Sequence, residues 1–381
     1  MFKNKILLVC ILIAGLMAAG PAWALHEKSS ETRIEDLSKR IEILEKKPME
    51  EPSPDLWFNK ISISGLLEVE AGYEKYNPDA ADEPSEESSD IVLSTFELGL
   101  DVDFIDHVGG HVLVLWEEDD TEPIDLDEGY LSLTGTEQTP LYLHAGKLYV
   151  PFGNLDTYFI SDPLPLELGE TRESAILAGY HKDMCNVFCG GFNGDVDKIG
   201  DNNHIDSFFA GAEFSLPEDD TRMLNMTAGV SYLSNIADSD GLSEANDIDG
   251  DGDPDGIRDY VGGISAYLYL DLVHSVYCVA ECVCALDKFN AGELNFGPDN
   301  ESLRPFAWNF EIAYVTPADI GFGAKYEGSN DCNDFLPERR YGGIVFCSPY
   351  ENTYLGLEYL YQEFDNDDKN EVVTAQLAFE F

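Results

Sequence analysis

The sequence predicts an all-β protein: a transmembrane antiparallel β-barrel of about sixteen strands, preceded by a short coiled-coil helix. Three observations lead to this fold class. Hydrophobic and polar residues alternate through most of the chain, and long and short links between the alternating segments take turns. The first residues also have the pattern of an export signal. Together they predict a barrel of the bacterial outer membrane.

Residues 1–24 have the composition of a cleavable signal peptide. The segment begins with lysines, continues with an apolar run over 6–17 and ends on the small residues Ala22 and Ala24. The apolar run is short for a membrane anchor, and no stop-transfer pattern follows it. We therefore expect an exported mature chain that begins at Leu25.

The sequence of residues 25–55 predicts a periplasmic coiled-coil helix followed by a proline-rich linker. Apolar residues from Ile34 to Leu44 recur at the three- and four-residue spacing of the a and d positions of a coiled coil. Two heptads cannot hold a helix alone in water. The pattern therefore indicates homo-oligomerisation through residues 30–47 or docking to a partner. Prolines then end the helix.

Residues 56–381 change to an alternation of period two, which is typical of strands with one apolar face. Phe96, Leu98 and Leu100, for example, share one face, whereas Glu97 lies on the other. Several segments are only about ten residues long, the length a tilted strand needs to cross a bilayer. The segments are centred near Leu66, Leu98, Val112, Leu131, Leu143, Ala178, Gly190, Gly211, Ala228, Ala266, Val279, Phe310, Phe322, Ile344, Leu357 and Ala375.

The links between these segments alternate in length. The long, acidic ones are 77–89, 151–172, 235–258, 290–304 and 328–338. Short links such as 106–107 separate them. Outer-membrane barrels have long loops outside and short periplasmic turns, so both termini are expected in the periplasm. A soluble β-sandwich would also alternate, but it gives no reason for long and short links to take turns over the entire chain.

The charge is strongly negative: 22 lysines and arginines stand against 74 aspartates and glutamates, a net charge of −52. This excludes a nucleic-acid-binding protein, whose footprint would be basic. It also attracts divalent cations and repels dissolved anions, although salt screens both effects. A generally acidic proteome in a salty habitat explains the same excess equally well.

A sixteen-stranded barrel encloses an aqueous channel, so a pore is the expected activity. The alternation directs one set of side chains into this lumen, namely Glu97, Asp101, Asp103, Lys325, Glu327, Glu358 and Gln362. Because the set is mostly acidic, we predict a preference for cations. The alternative is that these residues are simply solvated in a wide lumen.

The most unusual link lies in residues 146–176, GKLYVPFGNLDTYFISDPLPLELGETRESAI. The runs 146–154, 161–164 and 166–173 resemble the siderophore-porin family of the outer membrane, typified by a ferric-legiobactin transporter. The domain order is similar over nearly all of the mature chain. The resemblance implies a coiled-coil stretch, a sixteen-stranded barrel and passage of ferric siderophores without a plug domain. The strand end also resembles, more weakly, the phosphate-type porins.

Lys147 and Arg172 flank this link and are among the few cations of the barrel. They would attract an anionic chelate into an otherwise negative pore. Arg172 lies between Glu170 and Glu173, however, so a salt bridge that pins the loop is the favoured alternative. The acidity of the chain also argues against polyanionic siderophores as substrates.

A second group of candidate residues lies in a long link and consists of the alternating aspartates Asp247, Asp249, Asp251, Asp253 and Asp255. With Gly252 at the sixth position, this spacing matches the start of an EF-hand loop. The twelfth position is Arg258 rather than a bidentate glutamate, so a regular EF-hand is excluded. Oxygen ligands favour Ca²⁺ over softer metals. The alternative is a flexible acidic loop tip.

Eight cysteines are present, and seven remain once Cys10 leaves with the signal. An odd number leaves at least one thiol outside any disulfide. Cys278, Cys282 and Cys284 share one strand face at even spacing, which is not the spacing of a zinc site. Small apolar wall residues are the favoured interpretation.

The chain has no catalytic motif such as GxSxG or HExxH, so we expect no enzyme. The leading hypothesis is a porin that passes ferric siderophores or other small solutes by diffusion. The alternative is a structural protein that contacts outer-membrane lipid. In that case the coiled coil binds a periplasmic partner and the acidic loops bridge lipopolysaccharide through Ca²⁺.

Overall fold

A computed structural model describes residues 60–79, 84–118, 124–201, 204–217, 223–297 and 301–381. The predicted signal peptide, coiled-coil helix and proline-rich linker, residues 1–55, lie outside the described residues. The described chain forms a closed antiparallel barrel of sixteen strands in which neighbours in sequence are neighbours in space and the first strand meets the last. The predicted barrel is therefore confirmed.

The barrel consists of sixteen strands in one continuous sheet. The first eight are β1 Ile61–Asn77, β2 Glu86–Ile105, β3 Val108–Trp116, β4 Asp125–Thr136, β5 Thr139–Tyr149, β6 Arg172–Lys182, β7 Cys185–Phe192 and β8 Ser207–Ser215. The second eight are β9 Leu224–Leu233, β10 Gly263–Leu272, β11 Val276–Ala285, β12 Phe306–Val315, β13 Ile320–Asn330, β14 Arg339–Cys347, β15 Thr353–Glu363 and β16 Lys369–Glu380. Each predicted segment centre falls within a different strand.

The alternation in the sequence becomes an apolar outer surface and a polar lumen. On β12, Phe310 and Ile312 are well exposed on the outer face, whereas Glu311 between them is fully buried on the inner face. Leu357 and Glu358 on β15 divide in the same way. Successive strand residues point to opposite faces, so one register places alternate hydrophobic side chains, such as Phe310, Ile312 and Leu357, outward. A surface this apolar requires non-aqueous surroundings.

The barrel closes at Phe381 and Gly65. Each backbone N–H donates to the carbonyl of the other at 3.0 Å, which extends the pairing of β16 with β1 by one more step. A Cβ on Gly65 would lie 2.4 Å from Cζ of Phe381, so only glycine lets this ring lie against the first strand.

Long links gather at one end of the barrel, which we call the long-loop end, and short turns such as 106–107 gather at the other, the short-turn end. Two short helices, α1 Leu164–Gly169 and α2 Asp240–Ala245, and a 3-10 turn at Ile236–Asp238 lie in the long links. Apolar side chains of the links pack with the inner faces of nearby strands as one core. Its largest members are Phe152, Phe192, Phe209, Phe289, Phe296, Leu168, Leu233, Ile236, Leu242 and Ile257.

Among the helices in the described ranges, none combines the length and the apolarity needed to cross a membrane. Cys282 and Cys284 are buried in an apolar cluster with Phe306, against which Trp308 packs. Their environment agrees with the interpretation of these cysteines as small apolar wall residues.

Candidate functional site

The link 150–171, between β5 and β6, folds into the lumen and crosses to the opposite wall. Its helix α1 packs against the inner faces of β11, β12 and β13. Its backbone also forms hydrogen bonds with side chains of β11, β12, β13 and β15. This segment, which we call the constriction loop, therefore narrows the lumen.

Buried wall carboxylates hold the first half of the constriction loop. Glu281 on β11 accepts hydrogen bonds from the backbone N–H groups of Asn154 and Leu155, at 2.9 and 3.0 Å. Glu311 on β12 accepts from the Thr157 hydroxyl at 2.6 Å and from the Tyr158 N–H at 2.9 Å. Charged acceptors make stronger hydrogen bonds than neutral ones, and they also satisfy backbone donors that the loop removes from water.

Two further wall carboxylates hold the second half of the loop. Glu358 on β15 accepts from the Ile160 N–H at 2.8 Å and from the hydroxyl of Ser161. Glu327 on β13 accepts from the Leu164 N–H at 3.2 Å. The loop is thus attached to the wall at both halves, not only at its ends.

Two inward-pointing cations of this wall, Lys325 and Arg340, also help to attach the loop. Lys325 lies 3.5 Å from Glu311 and 3.7 Å from Glu327, and it donates to the Ser161 carbonyl at 2.9 Å. Arg340 on β14 donates to Glu327 and to the Asp162 carbonyl. The Lys325 side chain is fully buried. These cations therefore neutralise the buried carboxylates and do not face the open lumen.

The predicted loop cations Lys147 and Arg172 also bind aspartates. Lys147 lies 3.3 Å from Asp125 of β4, and Arg172 lies 2.5 Å from Asp127 and 3.5 Å from Asp125. Ala145 pairs with Leu131, which is exposed on the outer face. Because side chains alternate along a strand, Lys147, two residues further on, also belongs to the outer face. The salt bridge of Arg172 thus exists, with partners on β4 that the local sequence does not indicate.

The two predicted glutamates, Glu170 and Glu173, lie in different environments. Glu170 lies near the end of the constriction loop, where burial and, to a smaller extent, the nearby Asp240 raise the pKa of its carboxyl to about 7. Glu173 lies on β6, in register with Leu148 on the inner face.

The opposite side of the lumen, on β1 to β4, is acidic and open to solvent. Inward-facing carboxylates there keep contact with water, namely Glu68, Glu70, Glu97, Asp101 and Glu128. Asp101 also lies 2.7 Å from Nδ1 of His111. Facing them, the constriction loop exposes Asp156 and Asp162. The remaining passage therefore has carboxylates on both sides.

Two cavities lie beside the constriction loop. A cavity of about 620 Å³ extends from the β4–β5 turn to Pro151 and Gly153 at the start of the loop. A second, of about 460 Å³, lies between Tyr158 and Phe159 of the loop and residues of β1, β15 and β16. Both are large enough for small solutes.

The aspartate-rich link gathers only part of the predicted set. Carboxylate oxygens of Asp247, Asp249 and Asp255 lie within 4.8 Å of one another, whereas Asp251 and Asp253 fall outside this group. Asp247 accepts hydrogen bonds from the N–H groups of residues 250 and 252, at 2.8 and 2.9 Å. The negative charges of Asp251 and Asp255 raise the pKa of the exposed Asp249.

No protein-family model matches the chain. Among curated proteins, it is 25% identical over 319 residues to a UPF0422 protein of Coxiella burnetii, covering 81% of this chain and 65% of that protein. It is 24% identical over 324 residues to a UPF0422 protein of Legionella pneumophila, covering 78% and 58%. The chain thus spans less than two thirds of the length of the curated relatives it matches.

Solved structures of outer-membrane proteins share the fold. The outer membrane channel DcaP of Acinetobacter baumannii matches with a TM-score of 0.55 at 14% identity, over 84% of this chain and 97% of that one. OprB of Pseudomonas putida matches with a TM-score of 0.55 at 12% identity, over 91% and 97%. OmpF of Salmonella typhi, in complex with daunomycin, matches with a TM-score of 0.54 at 10% identity, over 84% and 97%. The fold is therefore that of porin-type barrels.

Proposed function

We propose that this protein is an outer-membrane diffusion channel that prefers cations. The observation that supports this most is the charge of the passage beside the constriction loop. The wall formed by β1 to β4 exposes carboxylates such as Glu97 and Glu128, and the constriction loop on the other side exposes Asp156 and Asp162. Lys325 and Arg340 lie behind the loop among buried carboxylates. A passage lined by one sign of charge concentrates ions of the opposite sign.

Planar-bilayer recording of the purified full chain tests this proposal. In a potassium chloride gradient, the reversal potential should report a higher permeability for K⁺ than for Cl⁻, and the preference should weaken at high salt. A protein that does not conduct, or one that prefers Cl⁻, would contradict the proposal.

We place the barrel in the outer membrane with the short-turn end in the periplasm, as the porin-type fold suggests. In this orientation the coiled-coil segment 30–47 is periplasmic and available for homo-oligomerisation. An epitope inserted in the turn 348–352 should stay inaccessible to antibody on intact cells, whereas one in the long link 286–305 should be accessible. The reverse pattern would invert the topology.

Ferric siderophores remain a narrower form of the same proposal, suggested by the resemblance of residues 146–176. The acidic passage favours neutral or positively charged chelates over polyanionic ones. Uptake of labelled ferric chelates of different charge, compared in cells with and without the protein, tests this. Equal uptake in cells with and without the protein would contradict siderophore transport and would leave only the proposal of a general channel.

A second role is suggested by the cluster of Asp247, Asp249 and Asp255. We propose weak Ca²⁺ binding here, which would let acidic loops bridge lipopolysaccharide. Ca²⁺ should slow proteolysis of the link 235–258, and Mg²⁺ should do so less. Protection that is equal for both ions, or absent, would remove this role.

A further inference from the structure

Two tyrosine rings on the lumen wall lie flat against glycines of neighbouring strands. Tyr142 on β5 pairs in register with Gly179 on β6, and Tyr267 on β10 pairs with Gly229 on β9. A Cβ on Gly179 would lie 2.2 Å from Cζ of Tyr142, and one on Gly229 would lie 2.4 Å from Cζ of Tyr267. Glycine therefore permits each ring to cover the neighbouring backbone, and both tyrosines line the 620 Å³ cavity.

Hydrogen bonds fix both rings in these positions. The Tyr142 hydroxyl donates to Oδ1 of Asn186 at 3.0 Å, and the Tyr267 hydroxyl donates to Glu213 at 2.7 Å. Glu213 on β8 lies in register between Asn186 on β7 and Gly229 on β9. One carboxylate thus stands between two preset aromatic rings.

The cavity contains a third ring of the same kind. Phe188 lies against Gly211, where a Cβ would be 2.4 Å from its Cζ. The cavity extends from Glu137 at the β4–β5 turn to Pro151 and Gly153 of the constriction loop. A solute that enters from the short-turn end therefore meets these rings before the constriction.

The lining combines ring faces with negative charge. Glu213 and Glu137 supply carboxylates, and the described residues that line the cavity include no lysine or arginine. The electron-rich faces of tyrosine and phenylalanine attract cations, and quaternary ammonium groups above all. The apolar side chain of Leu177 adds a surface for a hydrocarbon body.

We propose that this cavity binds small organic ammonium ions with an apolar body. The ammonium group lies near Glu213 between the rings of Tyr142 and Tyr267, and the body packs toward Phe188. This inference rests on the proposed cation-preferring channel and adds a class of solute and a site in the lumen where that solute binds. An uncharged sugar, which can also stack on aromatic rings, is the competing ligand.

Block of the K⁺ current through the full chain in planar bilayers tests the inference. Benzyltrimethylammonium is the probe, and tetramethylammonium, benzyl alcohol and glucose are compared with it. The benzyl cation should block at the lowest concentration, and more effectively from the short-turn side. Equal block by benzyl alcohol or glucose would overturn the proposal.

Variants locate the block. Glu213→Gln and Tyr142→Leu should each raise the half-blocking concentration of benzyltrimethylammonium by about fivefold, and Tyr142→Phe, which keeps the ring, by less than about twofold. The controls Asp365→Asn and Tyr350→Leu likewise remove one carboxylate charge and one tyrosine ring, but from exposed residues outside the lumen. A shift of the controls as large as that of the cavity variants would overturn the inference.

Two measurements separate this inference from the proposed function. The reversal potential of the unmodified chain tests the cation preference without any probe. If that preference holds but Tyr142→Phe weakens the block as much as Tyr142→Leu, the ring face is not the binding surface and only the inference fails. A heat-dependent shift on gels confirms that each variant has a folded barrel.

Discussion

The two sides of the lumen use the same residue type in opposite ways. On β11 to β15, Glu281 and Glu311 are fully buried and accept hydrogen bonds from the constriction loop. On β1 to β4, Glu70, Glu97 and Asp101 point into the lumen and keep contact with water. The first side, which we call the closed wall, therefore positions the constriction loop. The second side, the open wall, borders a negatively charged passage.

The difference follows from where the cations lie. Burying a carboxylate is costly unless it is paired and hydrogen-bonded. Lys325 and Arg340 stand among the carboxylates of the closed wall and lower that cost, and the loop backbone supplies the remaining donors. The inward carboxylates of β1 and β2 have no such pair of buried cations beside them in the described part of the chain. They stay solvated.

The largest expected effect comes from removing the central cation of the closed wall. Lys325→Met should lower the free energy of unfolding by about 3–5 kcal/mol, because it leaves Glu311 and Glu327 buried without this charge partner. Guanidinium unfolding of the lipid-reconstituted barrel measures the loss. Lys369→Met, at an exposed position of β16, is the matched control and should change the free energy little. Equal losses in both variants would remove the distinction between the walls.

The strands were predictable from sequence because alternation is a local property. Each segment needs only one apolar and one polar face, and Phe310 beside Glu311 already shows both. The direction of the constriction loop is not local. Asn154 meets Glu281, 127 residues further along the chain, so no pattern around either residue indicates the contact.

The candidate site residues show the same limit. Lys147 and Arg172 stand out as rare cations, but their partners Asp125 and Asp127 lie on another strand and turn them into structural ion pairs. Lys325 points inward from β13, as the alternation predicts, but the constriction loop covers it and its side chain is fully buried. Composition identifies unusual residues, whereas the long-range fold decides which of them contact solvent.

A smaller effect is expected from a single anchor of the loop. Glu358→Ala removes the acceptor for Ile160 and Ser161, so we expect a loss of about 1–3 kcal/mol of stability. A loosened loop should also raise the single-channel conductance. The same substitution on the open wall, Glu97→Ala, should leave stability nearly unchanged and lower the K⁺ conductance. If both variants change conductance in the same direction, the two walls do not have different roles.

The open wall should control selectivity without contributing to stability. Glu97→Gln should lower the K⁺ to Cl⁻ permeability ratio by up to about tenfold, since one charge about 6 Å from a passing ion in water stabilises K⁺ and destabilises Cl⁻ by roughly 0.7 kcal/mol each. The reversal potential measures this ratio. Glu363→Gln, on the outward face near the long-loop end, removes the same charge and should leave the ratio unchanged. An unaltered ratio in Glu97→Gln would place the selectivity elsewhere.

The smallest expected effect concerns Asp238, a buried carboxylate in the link between β9 and β10. Burial, and to a smaller extent the nearby Asp195, raises the pKa of Asp238 to about 7. Between pH about 4 and 7 the folded loop holds a proton that the unfolded chain releases, so its stability falls as pH rises through this window. Hydrogen bonds from Ser207, the Val196 N–H and Asn235 favour the charged form and oppose this trend.

We therefore expect the free energy of local opening, measured by hydrogen exchange in residues 234–246, to fall by roughly 0.5 kcal/mol per pH unit, less than the full value of about 1.4 for one proton. Asp238→Asn cannot take up that proton and should reduce the slope. Asp259→Asn, an exposed aspartate of the same link, should leave it as it is. A slope that is identical in all three proteins would mean that Asp238 stays charged when buried. The closed side would then tolerate a buried carboxylate through hydrogen bonds alone, and the cations of the wall would not be what separates it from the open side.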